Sequence, residues 1–551
     1  MQGDWTTYAE VFTRRWVVET ILDLIGYNPD DDLGGKVIVE PSVGSGAFLV
    51  SIVKRLLTSA EKHGRPVESL SGALKGYDLQ EESVERSREA IRPLLTNVGI
   101  TGASAEALLA EWVQVADFLL TEDIPAADFV VGNPPYIRLE DIPPEVSAAY
   151  RLRWPTMQGR ADIYVGFYER ALSLLNEGGR LGYICADRWM RNQYGARLRA
   201  LVAKDFAVES VWIMHDVDAF ESQVSAYPAI TVIRRGSQSE VVVADTTFSF
   251  GAGSAAELAA WTLTGDGLTL NGRGFEAYRL EGWFPGDEMW AAGSPALIAL
   301  MEHLNEHFYP LQDASTGTKV SIGVASGADK VYVVKSADVE EDRLLPLAMV
   351  GDLRQTGDFE WGGNYLVNPW TEEGQLVDLE RYPRLRAYYE AAPKLHERHV
   401  AKKNRSNWYR TIDKVHHSLT AKPKLLIQDM RASINPVLEP GGHYPHHNLY
   451  YITSESWDME VLGGILLSRV GQAFIQAYAV RMRGGTLRFQ AQYLKKIRVP
   501  RPSDLDADVS DRLRAAFRSR DEEAATDAAA EAYGIDLSMY GLAKKEMLCA
   551  G

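Results

Sequence analysis

The chain has 551 residues, 46% of them hydrophobic and 24% charged, the balance of a soluble globular protein with two to four domains. Its 58 Lys and Arg against 75 Asp and Glu leave a net charge of −17, which excludes a surface that is basic all over and confines any nucleic-acid contact to a local patch. Two cysteines, Cys185 and Cys549, supply neither a disulfide framework nor the paired spacing of a zinc site, and no apolar run approaches the roughly 20 residues that cross a bilayer. With the polar start Met1-Gln2-Gly3-Asp4, a cytoplasmic protein without metal or membrane anchor is expected.

In the first third, short β-branched runs alternate with helical patterns, which predicts an α/β domain around a mostly parallel sheet. Residues 37–39 read as a buried strand, 47–57 as a helix, 61–70 as an extended loop, 72–77 as the approach to a second strand and 81–94 as a second helix. Further strands are expected at 112–115, 128–131 and 181–185, the last after a helix starting near Asp162 and ending at Gly178-Gly179. Residues 208–214 and 229–233 read as a hairpin that ends a domain spanning 1–240. The Gly-, Ala- and Ser-rich stretch 241–290 reads as a connecting segment. Residues 291–502 then read as a mixed α+β domain, with strands at 330–335, 424–428 and 449–453 and helices at 379–395 and 459–478. A helical tail, 503–551, follows.

Charge is unevenly spread along the chain. Residues 381–435 carry 13 Lys/Arg against four acids, and 479–502 carry seven and none, on an otherwise acidic chain. Interleaved with Trp408, Tyr409, Tyr444 and Phe489, these segments suit a phosphate backbone, although a solvated basic face has the same composition.

Glu40-Pro41-Ser42-Val43-Gly44-Ser45-Gly46 follows the first strand and opens its helix. Gly44 and Gly46 permit a sharp turn and a close backbone approach to a ligand, and Glu40 offers an acceptor, but the third glycine of the dinucleotide fingerprint is missing. Asp78 ends the second strand, where an open α/β sheet places a ribose-binding carboxylate; a helix cap is the plainer reading. Asp117-Phe118 offers an acceptor and a ring for an adenine, or equally a capped turn with a core Phe. Asn133-Pro134-Pro135-Tyr136, directly after a strand, carries the most information. The prolines fix the backbone so that the Asn133 oxygen and the Pro134 carbonyl converge as two acceptors for an exocyclic amino group. Held in this way, an aromatic amine turns its nitrogen lone pair toward an electrophile, and Tyr136 can stack on the base.

With these residues in this order, the sequence resembles the adenine-N6-specific DNA methyltransferases of the TaqI and Eco57I type, over nearly its whole length. The resemblance implies a Rossmann-like S-adenosylmethionine methyltransferase domain followed by a target-recognition domain that binds double-stranded DNA. It implies that Thr13, in Val11-Phe12-Thr13, lies near the methionine end of the cofactor. Glu40 would meet the amino-acid moiety, Gly44 and Gly46 the turn beneath it, Asp78 the ribose, and Asp117 with Phe118 the adenine. Asn133 and Pro135 would border both the cofactor and the target, Asn133 to Tyr136 would form the catalytic turn, and Phe220 would contact a flipped base from its other side. Farther on, residues 322–332, Arg398, Trp408-Tyr409, Lys422-Pro423-Lys424, 484–489 and Tyr540-Gly541-Leu542, a terminal helix in the family, match the specificity domain more weakly. Arg138, Arg405, Trp408, Arg410, Arg483 and Arg488 are the expected DNA contacts.

Two other readings compete. The same Asn-Pro-Pro-Tyr cradle serves methylation of an RNA adenine or a protein glutamine, against which stands a large second domain with local positive charge. A DNA-recognition subunit without catalysis is opposed by the intact Glu40, Asp78, Asn133 and Tyr136. Only 39 residues precede Glu40, so a separately encoded restriction enzyme, or none, is expected.

Overall fold

A computed structural model describes residues 11–221, 227–291, 295–354, 356–431, 433–478 and 487–543. Its contacts divide the chain into two units, Met1–Pro295 and Ala296–Gly551.

The first unit is organised by a ten-stranded sheet. Its strands are β1 (Ile38–Glu40), β2 (Leu74–Asp78), β3 (Val113–Val115), β4 (Ala127–Gly132), β5 (Leu175–Ala186), β6 (Phe206–Ile213), β7 (Pro228–Arg235), β8 (Val241–Thr246), β9 (Thr269–Gly272) and β10 (Phe275–Leu280). They lie in the order β3-β2-β1-β4-β5-β7-β6-β8-β10-β9. The first five are parallel, and β7 is inserted antiparallel between β5 and β6. All three residues of β1 and the first six of β7 are buried, as expected of strands covered on both faces.

Helices α1 (Arg15–Leu24), α2 (Ala47–Lys62) and α3 (Glu81–Asn97) surround the glycine turn. In α2, Phe48, Leu49, Ile52, Val53, Leu56 and Leu57 recur at helical spacing and are all buried against the sheet's core. The chain order reverses between β1 and β4, the point at which an open α/β sheet leaves a crevice beyond its strand ends. Glu40 closes β1 and Asn133 follows β4.

Several expected boundaries move. The stretch read as a connector supplies β8, β9 and β10 and a helix over Ala252–Thr264, so the sheet does not stop at the hairpin. Its small residues do form structure, because Ala255, Leu258 and Ala259 pack into the same core as Phe250 and Phe275. The loop expected at 61–70 is short: α2 runs to Lys62 and a 3-10 turn occupies Val67–Gly72. Gly178 and Gly179, expected to end a helix, lie inside the long strand β5.

The second unit is mixed α+β. One antiparallel sheet pairs Lys319–Ile322, Leu449–Thr453, Lys424–Gln428 and Val437–Glu439 in that order. A second contains Val333–Val334, Tyr365–Val367, Leu344–Ala348 and Tyr444–Pro445. The strand expected at 330–335 is a helical turn, Asp329–Tyr332, followed by the short strand Val333–Val334. The helix expected at 379–395 is three pieces, two of them starting at Pro383 and Pro393, where proline favours a first helical turn. The one expected at 459–478 divides into Met459–Leu467 and Arg469–Tyr478. Ser468 breaks it with extended backbone, and its hydroxyl accepts from the Gly471 N–H at 3.2 Å, capping the second helix. The tail forms the helices Ala507–Ser519 and Glu522–Tyr533, whereas Tyr540-Gly541-Leu542 lies in a turn and not in the expected terminal helix.

Candidate active site

The glycine turn is built from backbone strain and two side-chain braces. Gly44 and Gly46 have φ of 50° and 87°, in the left-handed region, and a Cβ at Gly46 would stand 3.3 Å from the Cα of Ser87. The Ser87 hydroxyl donates to the Gly44 carbonyl at 2.8 Å, and the Gly44 N–H donates to Asp78 Oδ2 at 3.0 Å. Asp78 Oδ1 accepts from the Gln80 N–H at 2.9 Å, so Asp78 clamps the turn and braces the residue that leads into α3. Of about four lone-pair sites on the two oxygens, the N–H groups of Gly44, Gln80 and Leu79 occupy three, which leaves room for a ligand's donor. Burial raises the Asp78 carboxyl above its ordinary value, and the backbone N–H groups oppose that rise.

Two cavities open at this turn and share Ser42, Gly44 and Pro135 in their walls. The larger, about 630 Å³, is lined by Asp78, Asp117, Phe118 and Pro135 among others, and the smaller, about 420 Å³, by Thr13, Glu40, Gly44, Phe48 and Asn133. Glu40 is 1% exposed, and its Oε2 has no hydrogen-bond partner. Burial first, and the nearby Asp78 charge second, push its carboxyl well above the usual range. A buried carboxylate oxygen left unpaired is costly unless a donor arrives to meet it.

Asp117 Oδ1 accepts from the Leu119 N–H at 2.8 Å and Oδ2 from the Tyr150 hydroxyl at 2.9 Å. Phe118 is stacked on Phe167 with ring centres 5.4 Å apart, and the Arg170 guanidinium lies 5.2 Å from its ring. Tyr150, Ile163 and Phe167 line the larger cavity, and no motif pointed to them. Ile163 and Phe167 do stand four residues apart, the spacing of one helix face, and that periodicity is the one signal the sequence offers for them.

At the other cavity, Asn133 Nδ2 donates to the Val11 carbonyl at 3.1 Å and to Thr13 Oγ1 at 3.2 Å. The amide is thereby oriented, and Oδ1 accepts from the Tyr136 hydroxyl at 2.8 Å. Tyr136 meets Tyr164 edge-on, with centres 6.4 Å apart.

Phe220 has a different setting. It is 5% exposed, belongs to the core cluster, and its backbone bridges Thr13. It helps seat the 11–14 segment, with the Arg14 Nε donating to its carbonyl at 3.1 Å.

In the second unit Arg405 is exposed, whereas Trp408 is half-buried and stacked on His396 at 4.0 Å. Arg410 lies 5.6 Å from the Trp370 ring and donates to the Thr411 carbonyl at 3.2 Å, which ties it to the protein. Arg398 donates to the carbonyls of Ser326, Trp408 and Arg410, a bracing role. Arg138, in the first unit, is exposed and 3.7 Å from Glu140. Arg483 and the side chain of Arg488 lie outside the described residues.

A mostly parallel sheet with β7 inserted antiparallel between β5 and β6, and an Asn-Pro-Pro-Tyr turn beside a two-part cleft at its switch point, has the design of a cofactor-dependent methyltransferase. The Eco57I restriction-modification methylase family matches residues 73–220. The Type II methyltransferase M.XhoI of Xanthomonas vasicola is 42% identical over 96% of this chain and 97% of its own length. M.PaeR7I of Pseudomonas aeruginosa is 43% identical over 97% and 93%. Among solved structures, the Type IIL restriction-modification enzyme MmeI in complex with DNA shares the fold with a TM-score of 0.59 at 11% identity, over 97% of this chain and 74% of that one. This chain belongs to the Type II methyltransferases of restriction-modification systems, and S-adenosylmethionine is its cofactor. No helix among the described residues is long and apolar enough to cross a membrane.

Proposed function

We propose that the protein methylates N6 of an adenine flipped from duplex DNA at a specific sequence. The observation that carries this reading is the orientation of Asn133: its amide nitrogen is committed to Val11 and Thr13, so its oxygen is the atom presented beside the cofactor cleft. Two acceptors, Asn133 Oδ1 and the Pro134 carbonyl, suit an exocyclic amino group and not a ring nitrogen. Oδ1 retains a lone pair beyond the one used by Tyr136.

The cleft fits S-adenosylmethionine because Glu40 brings an unpaired buried oxygen to the smaller cavity, where an ammonium would satisfy it. Asp78 would accept from the ribose hydroxyls, and Phe118 and Asp117 would hold the adenine face and amino group in the larger cavity. When bound, the cofactor supplies a methyl group on a sulfonium leaving group. Asn133 and Pro134 hold the amine in line for direct displacement, Tyr136 stacks on the base, and the acidic ammonium product loses its proton to solvent. Arg405 and the basic segments of the second unit would contact phosphates, and Phe220 could reach a flipped base only by leaving its core position. A separately encoded restriction enzyme would complete the system.

Sequencing of modified bases in DNA from cells expressing the chain tests the reading. N6-methyladenine at one recurring sequence is expected; modification of another base, or of RNA or protein alone, would overturn it. Asp78→Ala should weaken S-adenosylmethionine binding by roughly 1.5–3 kcal/mol in calorimetry, with DNA affinity unchanged. For flipping, 2-aminopurine at the target position should brighten on binding. Tyr136→Ala should lose more rate on a fully paired target than on a mismatched one, because base–aromatic stacking worth about 1–3 kcal/mol offsets the unpairing work. Equal losses on both substrates would remove Tyr136 from that role.

A further inference from the structure

A second cluster of chemically competent side chains lies in the second unit, on residues to which the methyl-transfer step assigns no role. The turn 323–329 runs beside residues 445–447: the Val324 N–H donates to the Pro445 carbonyl at 2.9 Å and the His447 N–H to the Val324 carbonyl at 3.1 Å. The approach is so close that a Cβ at Gly323 would stand 2.2 Å from the His446 carbonyl oxygen. At the end of this pairing Asp329 Oδ2 is 3.2 Å from His446 Nε2, and one donor atom from each of Asp329, His446 and His447 lies within 4.8 Å of the others. The two imidazole rings have centres 4.1 Å apart.

An Asp–His hydrogen bond alone leaves much of this unexplained. The His446 side chain is 3% exposed, and the Nδ1 atoms of both His446 and His447 are buried with no hydrogen-bond partner. Gathering two imidazoles and a carboxylate is costly without a further partner; an ion would take His446 through Nε2, the nitrogen that faces Asp329, so of the two unpaired Nδ1 atoms only that of His447 is open to it. Two nitrogens and one carboxylate oxygen are a donor set for a borderline transition ion and not for calcium or magnesium, which prefer oxygen throughout. One ligand pair already has the spacing: with bonds of about 2.0–2.1 Å, two ligands of a tetrahedral zinc stand roughly 3.3 Å apart. Asp329 Oδ2 and His446 Nε2 are 3.2 Å apart, while His447, within 4.8 Å, closes in when the ion binds. The Ser326 hydroxyl donates to Asp329 Oδ1, orienting the carboxylate from behind as outer groups commonly do in metal sites. Asp329, 45% exposed in its side chain, leaves the cluster open to solvent on one side.

We propose that Asp329, His446 and His447 bind one zinc ion, with water at the fourth position, and that the ion fastens the 323–329 turn to the 445–447 segment of the second unit. The ion takes no part in methyl transfer. Binding exchanges the proton shared by Asp329 and His446 for the metal, and its free energy adds to that unit's stability.

The test uses the full-length protein, stripped with a chelator, reloaded with zinc chloride and passed over a desalting column before metal analysis. One zinc per chain is expected. Asp329→Asn, which keeps a hydrogen-bonding partner for His446, and His447→Gln should each lower zinc affinity at least tenfold. Cobalt(II) in place of zinc should give the visible bands of a four-coordinate ion with the unmutated chain and not with either variant. Chelator should lower the thermal midpoint of the unmutated protein and leave that of Asp329→Asn unchanged. Zinc content no higher in the unmutated chain than in both variants, or equal retention by all three, would overturn the site, and the folded state of Asp329→Asn, read from its thermal transition, keeps that outcome decisive.

Discussion

Replacing Asn133 with Ala should slow single-turnover methyl transfer by about 10²-fold or more, the size of effect produced by removing one preorganised polar group from a reaction centre. The reason lies in the constraint on the amide. With Nδ2 donating to the Val11 carbonyl and Thr13 Oγ1, rotation that would present nitrogen to the target costs two hydrogen bonds, so Oδ1 is fixed as the acceptor. Ala removes that acceptor and leaves Val11 and Thr13 without their donor. Cofactor affinity should change little, since Glu40, Gly44 and Asp78 are untouched. Thr13→Val separates orientation from chemistry: it keeps Oδ1 but loosens the amide, and should cost several-fold in rate and less than Asn133→Ala. Near-normal transfer by Asn133→Ala would sink the two-acceptor cradle.

The contrast between the two halves of the chain shows what local sequence carries. Strands β1, β2, β3 and β4 are bounded by turn residues and followed by polar ends, so the local pattern by itself puts Glu40, Asp78, Asp117 and Asn133 at their carboxyl edge. The cleft walls contributed from afar have no such signature. Tyr150 reaches Asp117 across 33 residues and Asn133 meets Thr13 across 120, and pairings at that distance leave no local mark.

The extension of the sheet was hidden for another reason. Residues 241–280 are rich in Gly, Ala and Thr, a composition typical of a connector, but β8 gains its stability by pairing with both β6 and β10, which propensity does not report. Phe220 illustrates the same limit at a single residue. Only the family resemblance implies a base contact for it; in the structure its ring packs in the core and its backbone seats the segment carrying Thr13.

Glu40→Gln should stabilise the ligand-free protein while weakening its hold on S-adenosylmethionine. Burial, and then the Asp78 charge, raise the Glu40 carboxyl in the folded state above its unfolded value of about 4.3. Between those two values the folded protein binds more protons than the unfolded chain, so stability falls as pH rises through that window, and the loss persists above it. Each unit of elevation corresponds to about 1.4 kcal/mol. Glutamine has nothing to ionise, so the variant should melt higher than the parent near pH 8, and the two should converge below about pH 4, where Glu40 is protonated in both states. Ligand binding runs the other way. If an ammonium meets the unpaired Oε2, it selects the ionised carboxylate and expels the proton, so the parent's affinity should rise with pH until an amino group with a pKa of about 7.7–8.0 begins to lose its own charge. Glu40→Gln should bind roughly 10- to 150-fold more weakly, the equivalent of about 1.5–3 kcal/mol for a charged hydrogen bond, and should lose the rising limb of that profile. A variant with parental affinity and a parental pH profile would mean that the buried carboxyl serves the turn and not the cofactor.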